Sequence, residues 1–109
     1  MAFDQSLVDR LRPILERRVE VAERRMFGGA AFMVAGHMCC GVLGPDLIAR
    51  VGAEAYADAL ALPHVREMDF TGRAMKGFVV VGAEGIASEG DLETWVERCL
   101  FFVNSLEPK

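Results

Sequence analysis

Residues 30–51, AAFMVAGHMCCGVLGPDLIARV, decide the fold. Short apolar runs alternate with glycine-bearing breaks; they are too short and too rich in turn residues for helices, and read as consecutive antiparallel strands. Ala35-Gly36 is expected to be a two-residue hairpin turn and Gly44-Pro45-Asp46 a second turn, which makes a three-strand meander. With those loops Val34 pairs with His37, Phe32 with Cys39, Leu43 with Leu47 and Gly41 with Ala49. Alternation then puts Phe32, Val34, His37, Cys39, Leu43, Leu47, Ala49 and Val51 on one face, and Ala31, Met33, Met38, Cys40, Val42, Ile48 and Arg50 on the other. Both faces are apolar, whereas an antiparallel sheet covered on one side carries polar residues on its outer side. The second face therefore calls for a cover, either a helix or a second subunit, and Met33, Met38, Cys40, Val42 and Ile48 form the expected interaction face. A slip of one residue exchanges the faces of a strand but leaves the double apolarity intact.

Outward from the meander, residues Leu7, Val8, Leu11, Ile14, Leu15 and Arg18 follow helical spacing from Asp4 to about Val19, with Asp4 or Ser6 as N-cap. Pro13 removes a donor and crowds the carbonyl of Asp9, so a kink or break is expected there. Downstream, Glu54–Leu60 reads as a short helix. VREMDF, residues 65–70, alternates as an edge strand with one wet face, and FVVV, residues 78–81, reads as a buried strand. From Asp91 onward Leu92, Trp95, Val96, Cys99, Leu100, Val103 and Leu106 keep helical spacing, with Ser88 as N-cap. The order is α-β-β-β-α-β-β-α, an α+β two-layer sandwich with an antiparallel sheet. At 109 residues it is expected to be one domain, residues 1–109, with a core that needs neither disulfide nor metal.

The net charge of −4 argues against a dedicated nucleic-acid binder. The arginines near the start are nearly balanced by acids and fit a solvated helix. The opening MAFDQSLVDR lacks a basic region followed by an apolar run, and no apolar stretch approaches the roughly 18–20 residues that span a bilayer. A cytoplasmic protein with reduced thiols and no membrane association is expected, and the odd cysteine count agrees.

HMCCGV, residues 37–42, holds one of two histidines and two of three cysteines. His37 and Cys39 have the same-face spacing of a ligand pair, and Cys99 is the candidate third metal ligand. No second pair has zinc-site spacing, and buried cysteines are common in strands and helices, so the simpler reading is structural: no catalytic residue, no metal and no cofactor. The loop Thr71–Gly77 brackets Arg73 and Lys76 with glycines and is the candidate anion-binding loop. Together with Arg24 and Arg25 these cations are the set through which nucleic acid would be contacted, if they converge. Gly28-Gly29 reads as a tight bend.

RRMFGGAAFMVAG (residues 24–36), the meander that follows it, and GRAMKGFVVV (residues 72–81) ahead of the Trp95 helix resemble the N-terminal domain of the TfoX/Sxy family. Its most distinctive step is Met26-Phe27-Gly28-Gly29. The resemblance implies a two-layer α+β fold of the kind grouped with secretion chaperones, and a relation to regulators of competence for DNA uptake. Full-length members carry a further C-terminal domain, for which this chain leaves no room, so a stand-alone N-terminal domain is expected. The expected role is a non-enzymatic regulatory or protein-interaction domain, as a homodimer or with a protein partner. The alternatives are a nucleic-acid-associated transcriptional regulator, and a small metal- or thiol-dependent enzyme centred on His37 and Cys39.

Overall fold

The computed structural model describes residues 4–26, 28–69 and 74–107, without the side chains of Met26, Ala74 and Met75. Its elements are α1 (Gln5–Glu16), β1 (Ala22–Met26), β2 (Gly29–Val34), β3 (His37–Leu43), β4 (Asp46–Arg50), α2 (Tyr56–Leu60), β5 (Val65–Asp69), β6 (Ala74–Val81), a 3-10 turn at Ala83–Ile86, and α3 (Glu89–Val103). The strands form one six-stranded antiparallel sheet in the order β1-β2-β3-β4-β6-β5. The α+β class and the order of the expected elements hold, with β1 as an addition. That strand reads AERRM, and its residues 22–25 are exposed, so no apolar alternation marks it. Charge on an exposed edge strand discourages pairing with another chain, which is why an edge can be this polar.

Asp4 caps α1, its carboxylate accepting from the Ser6 backbone N–H at 2.9 Å. The helix buries Leu7, Val8, Leu11, Ile14 and Leu15 as one stripe. It runs through the exposed Pro13 without a break, and it ends at Glu16 rather than near Val19. At the other end of the chain, the Ser88 hydroxyl accepts from the Asp91 N–H at 3.0 Å and starts α3. Ser88→Ala leaves that N–H without its cap and should lower stability by about 1 kcal/mol, read as a fall in the urea midpoint at constant slope.

All three helices bury their apolar residues against the same sheet face. The main core gathers Leu11, Ile14 and Leu15 of α1, Ala59 of α2, Leu92, Trp95, Val96, Cys99 and Val103 of α3, and Phe32, Val42, Leu47, Ala49, Val79 and Val81 of the sheet. Ion pairs tie α1 to its surroundings: Arg17 to Glu93 at 3.4 Å, Arg18 to Glu97 at 3.4 Å and Arg12 to Glu23 at 2.9 Å. Arg12 of this helix and the two arginines that follow its end are thus matched by acids of β1 and α3.

The register of the meander differs from expectation in two places. Ala35 and Gly36, with φ 53° and 85°, make the expected turn and pair Val34 with His37. Met33 then pairs with Met38, but Phe32 pairs with Cys40, so Cys39 is the extra residue of a β-bulge. The second turn is only Gly44-Pro45, and Leu43 pairs with Asp46 rather than Leu47. The bulge turns Cys40 and Val42 to the helix-covered face, correcting their assignment to the second one, and turns Leu43 away from it. The shorter turn reverses the shift, so Leu47 and Ala49 face the helices and Ile48 faces away, as expected.

Candidate functional site

A bulge lets two consecutive side chains point to one side of a sheet, and here both belong to cysteines. Cys39 and Cys40 therefore lie in the helix-covered core, where the apolar stripe of α3 delivers Cys99. All three are free thiols without solvent exposure. Arg50 is the residue of β4 just past the last β3–β4 pair, Cys40 with Ala49.

This arrangement separates the three acidities. Hydrogen bonds from Cys40 and Cys99, helped by the positive charge of Arg50, hold the Cys39 thiol below its ordinary range against the opposing effect of burial. Cys40 and Cys99 are pushed up, first because each hydrogen-bonds to Cys39 and then by burial. Cys39 is thus the thiol that ionises first. Arg50 is held nearby: its guanidinium lies 5.3 Å from the Phe78 ring centre and 5.5 Å from that of Phe102, and Nη1 donates to the Met38 carbonyl at 3.3 Å.

His37 does not join the thiols. His37 is 9% exposed, and Nε2 donates to the Glu107 carbonyl at 2.6 Å, which ties the C-terminal segment to the β2–β3 hairpin. Nδ1 is buried without a hydrogen-bond partner among the described residues. The structure therefore places Cys39 and Cys99 in the same buried core but directs His37 elsewhere. Among the described residues, no group of three or more His, Cys, Asp or Glu is arranged to hold a metal ion.

The second sheet face carries a separate cluster of Ile48, Met68 and Val80, edged by half-buried Met38, Leu43 and Phe78. Met33 is also half-buried, paired with Met38. No helix contributes to that cluster. The strands nevertheless close over their own centre, since Ile48 is 0% and Met68 4% exposed. Of the five residues expected to form an interaction face, Met33, Met38 and Ile48 are here; Leu43, Met68, Phe78 and Val80 join them. A groove of about 470 Å³ opens beside this cluster, lined by Leu43, Ile48, Met68 and Val80, with Asp46 and Arg66 paired at 2.7 Å.

The cations do not converge where they are described. Arg24 and Arg25 are on β1 and Lys76 is on β6, four strand spacings away, about 19 Å along the sheet. Arg73 lies outside the described residues, so the candidate anion loop has only Lys76, exposed on β6, in view. No helix among the described residues is long and apolar enough to cross a membrane.

A family model described as the TfoX N-terminal domain matches residues 13–102. The chain belongs to the TfoX N-terminal domain family. It is a competence-regulator-like domain, from a family of regulatory type. No curated protein and no solved structure gives a match. In this TfoX N-terminal domain the Met26–Gly29 step is a hairpin: Met26 pairs with Gly29 across the turn that joins β1 to β2. Phe27 lies outside the described residues, as does the side chain of Met26. The step's visible role is to connect the polar edge strand to the meander.

Proposed function

We propose that this TfoX N-terminal domain is a non-enzymatic regulatory domain of the cytoplasm that acts through protein contact, assembling with a second copy of itself through the helix-free sheet face. The observation that carries this reading is the second apolar cluster, Ile48, Met68 and Val80 with Met38, Leu43 and Phe78 around it, to which no helix contributes. Its groove is lined by charges of both signs, Arg66 beside Asp46, Glu67 and Asp69. A two-fold interface sets each residue against a counterpart from the same patch, so a rim with both signs complements itself.

Sedimentation velocity at micromolar concentration tests the reading. The wild-type chain is expected to sediment as a dimer, and Leu43→Glu as a monomer. Leu43 is half-exposed, so the melting temperature of that variant's folded monomer should stay close to that of the parent core. A wild-type chain that remains strictly monomeric overturns the proposed assembly.

A further inference from the structure

The helix layer carries a surface that the sheet-face contact does not use. Among the described residues Phe101 is the one large apolar side chain left exposed, at 86%, while the other apolar residues of α3 are buried or half-buried. A single exposed apolar residue is ordinary, but this one stands beside a groove of about 430 Å³ between α2 and α3, floored by Val51, Ala55 and Ala59. A projecting ring and a hollow lined by small side chains thus share one patch. We infer that α3 pairs with α3 of a second copy, antiparallel about a two-fold axis, each Phe101 seated in the other copy's groove.

The register of the helix fixes where that axis falls. Thr94, Glu97, Arg98 and Phe101 have the i, i+3, i+4, i+7 spacing of one helix face; all four are exposed and all four line the groove. In two antiparallel copies related by a two-fold axis, residues that face each other have numbers with a constant sum. An axis between positions 97 and 98 sets Phe101 against Thr94 of the second copy, at the mouth of its groove. The same placement sets Glu97 against Arg98 of the second copy, and does so twice. Moving the register by one residue brings either Glu97 or Arg98 against its own counterpart, and like charges repel. One placement therefore satisfies both the ring and the charges.

Both charged groups are already held on this face. The Arg98 guanidinium lies 5.2 Å from the Trp95 ring centre, and the Glu97 carboxylate, 3.4 Å from Arg18, keeps 64% of its side chain exposed. A patch built on two rings and two ion pairs is smaller than the roughly 1,600 Å² of a standard stable interface, so the contact belongs to the transient class, with a Kd on the order of 100 μM. It does not rest on the sheet-face reading. The two surfaces lie on opposite sides of the sheet and can be occupied together.

Static light scattering of the whole chain from about 10 μM to about 1 mM tests the pairing, since that range brackets the expected Kd. In Leu43→Glu, which lacks the proposed sheet-face contact, the mass should rise from that of a monomer toward twice that value. The wild type should show the same doubling from its micromolar species. A wild type that is monomeric at low concentration yet doubles with the rest removes the sheet-face reading and upholds this one. Phe101→Ser should abolish the rise in both backgrounds while leaving the micromolar mass and the melting temperature unchanged, because the ring is outside the core. Glu97→Arg should weaken the association about tenfold, and adding Arg98→Glu should recover most of it. The inference is overturned if the mass of both backgrounds stays flat to about 1 mM, which leaves the face to a different partner. It is overturned equally if the rise survives Phe101→Ser, or if the double charge reversal associates no better than Glu97→Arg alone.

Discussion

Phe32→Ala is expected to lower stability by about 3–5 kcal/mol, the range for emptying an aromatic site in a packed core. Phe32 is 0% exposed on β2, pairs with Cys40 just beyond the bulge, and shares the main core with α1 and α3. Removing the ring takes away its transfer free energy and leaves a hole that a bulged strand on one side and two helices on the other cannot collapse to fill. A domain of this size is stable by about 5–15 kcal/mol, so a large part of the margin goes. The chain's single tryptophan, Trp95, is buried on α3 and reports the loss of the core by fluorescence during urea unfolding. Phe32→Leu, which keeps most of the volume, should fall much less. A Phe32→Ala midpoint no lower than that of Ser88→Ala would contradict this account.

Gly52→Ala should have the next largest effect, about 2–4 kcal/mol, from two separable causes. Gly52 has φ 87°, in the left-handed region where a Cβ is strained, and the added carbon would overlap the ring of Phe102. The ring cannot yield freely, because it packs against the main core and faces the Arg50 guanidinium. Combining Gly52→Ala with Phe102→Ala relieves the overlap but not the backbone strain. The double variant should therefore be more stable than the sum of the single losses predicts, which a double-mutant cycle in urea measures directly. Simple additivity would show that the ring moves aside at no cost.

The legible part of this molecule was the part governed by local pattern. Helical spacing marked α1 and α3, Asp4 and Ser88 act as caps, and Ala35-Gly36 forms the turn that opens the meander. β1 was illegible because an exposed edge strand has no apolar alternation to display. The bulge was illegible for a different reason: an extra residue changes which neighbour a side chain meets without changing any residue's own character. That one residue moved Cys40 and Val42 into the main core and Leu43 out of it. The second turn proved one residue shorter than expected and moved the register back, so the faces of β4 were read correctly even though its partners were not.

The candidate site divides the same way. HMCCGV drew notice as a cluster of reactive residue types, but alternation placed Cys39 and Cys40 on opposite faces, and His37 beside Cys39 as a ligand pair. In the folded chain the two cysteines share a face, Cys99 joins them, and His37 bonds the Glu107 carbonyl instead.

By itself the sequence determined that this chain builds an α+β domain around an antiparallel meander with two apolar faces, because those properties follow from periodicity, caps and turn chemistry acting over a few residues. Tertiary structure alone decided that all three helices share one face, leaving the other to a cluster of strand residues, and that all three cysteines lie in the helix-covered core. Both outcomes depend on strand register and on contacts between residues far apart in the chain, and a single bulged residue is enough to change them.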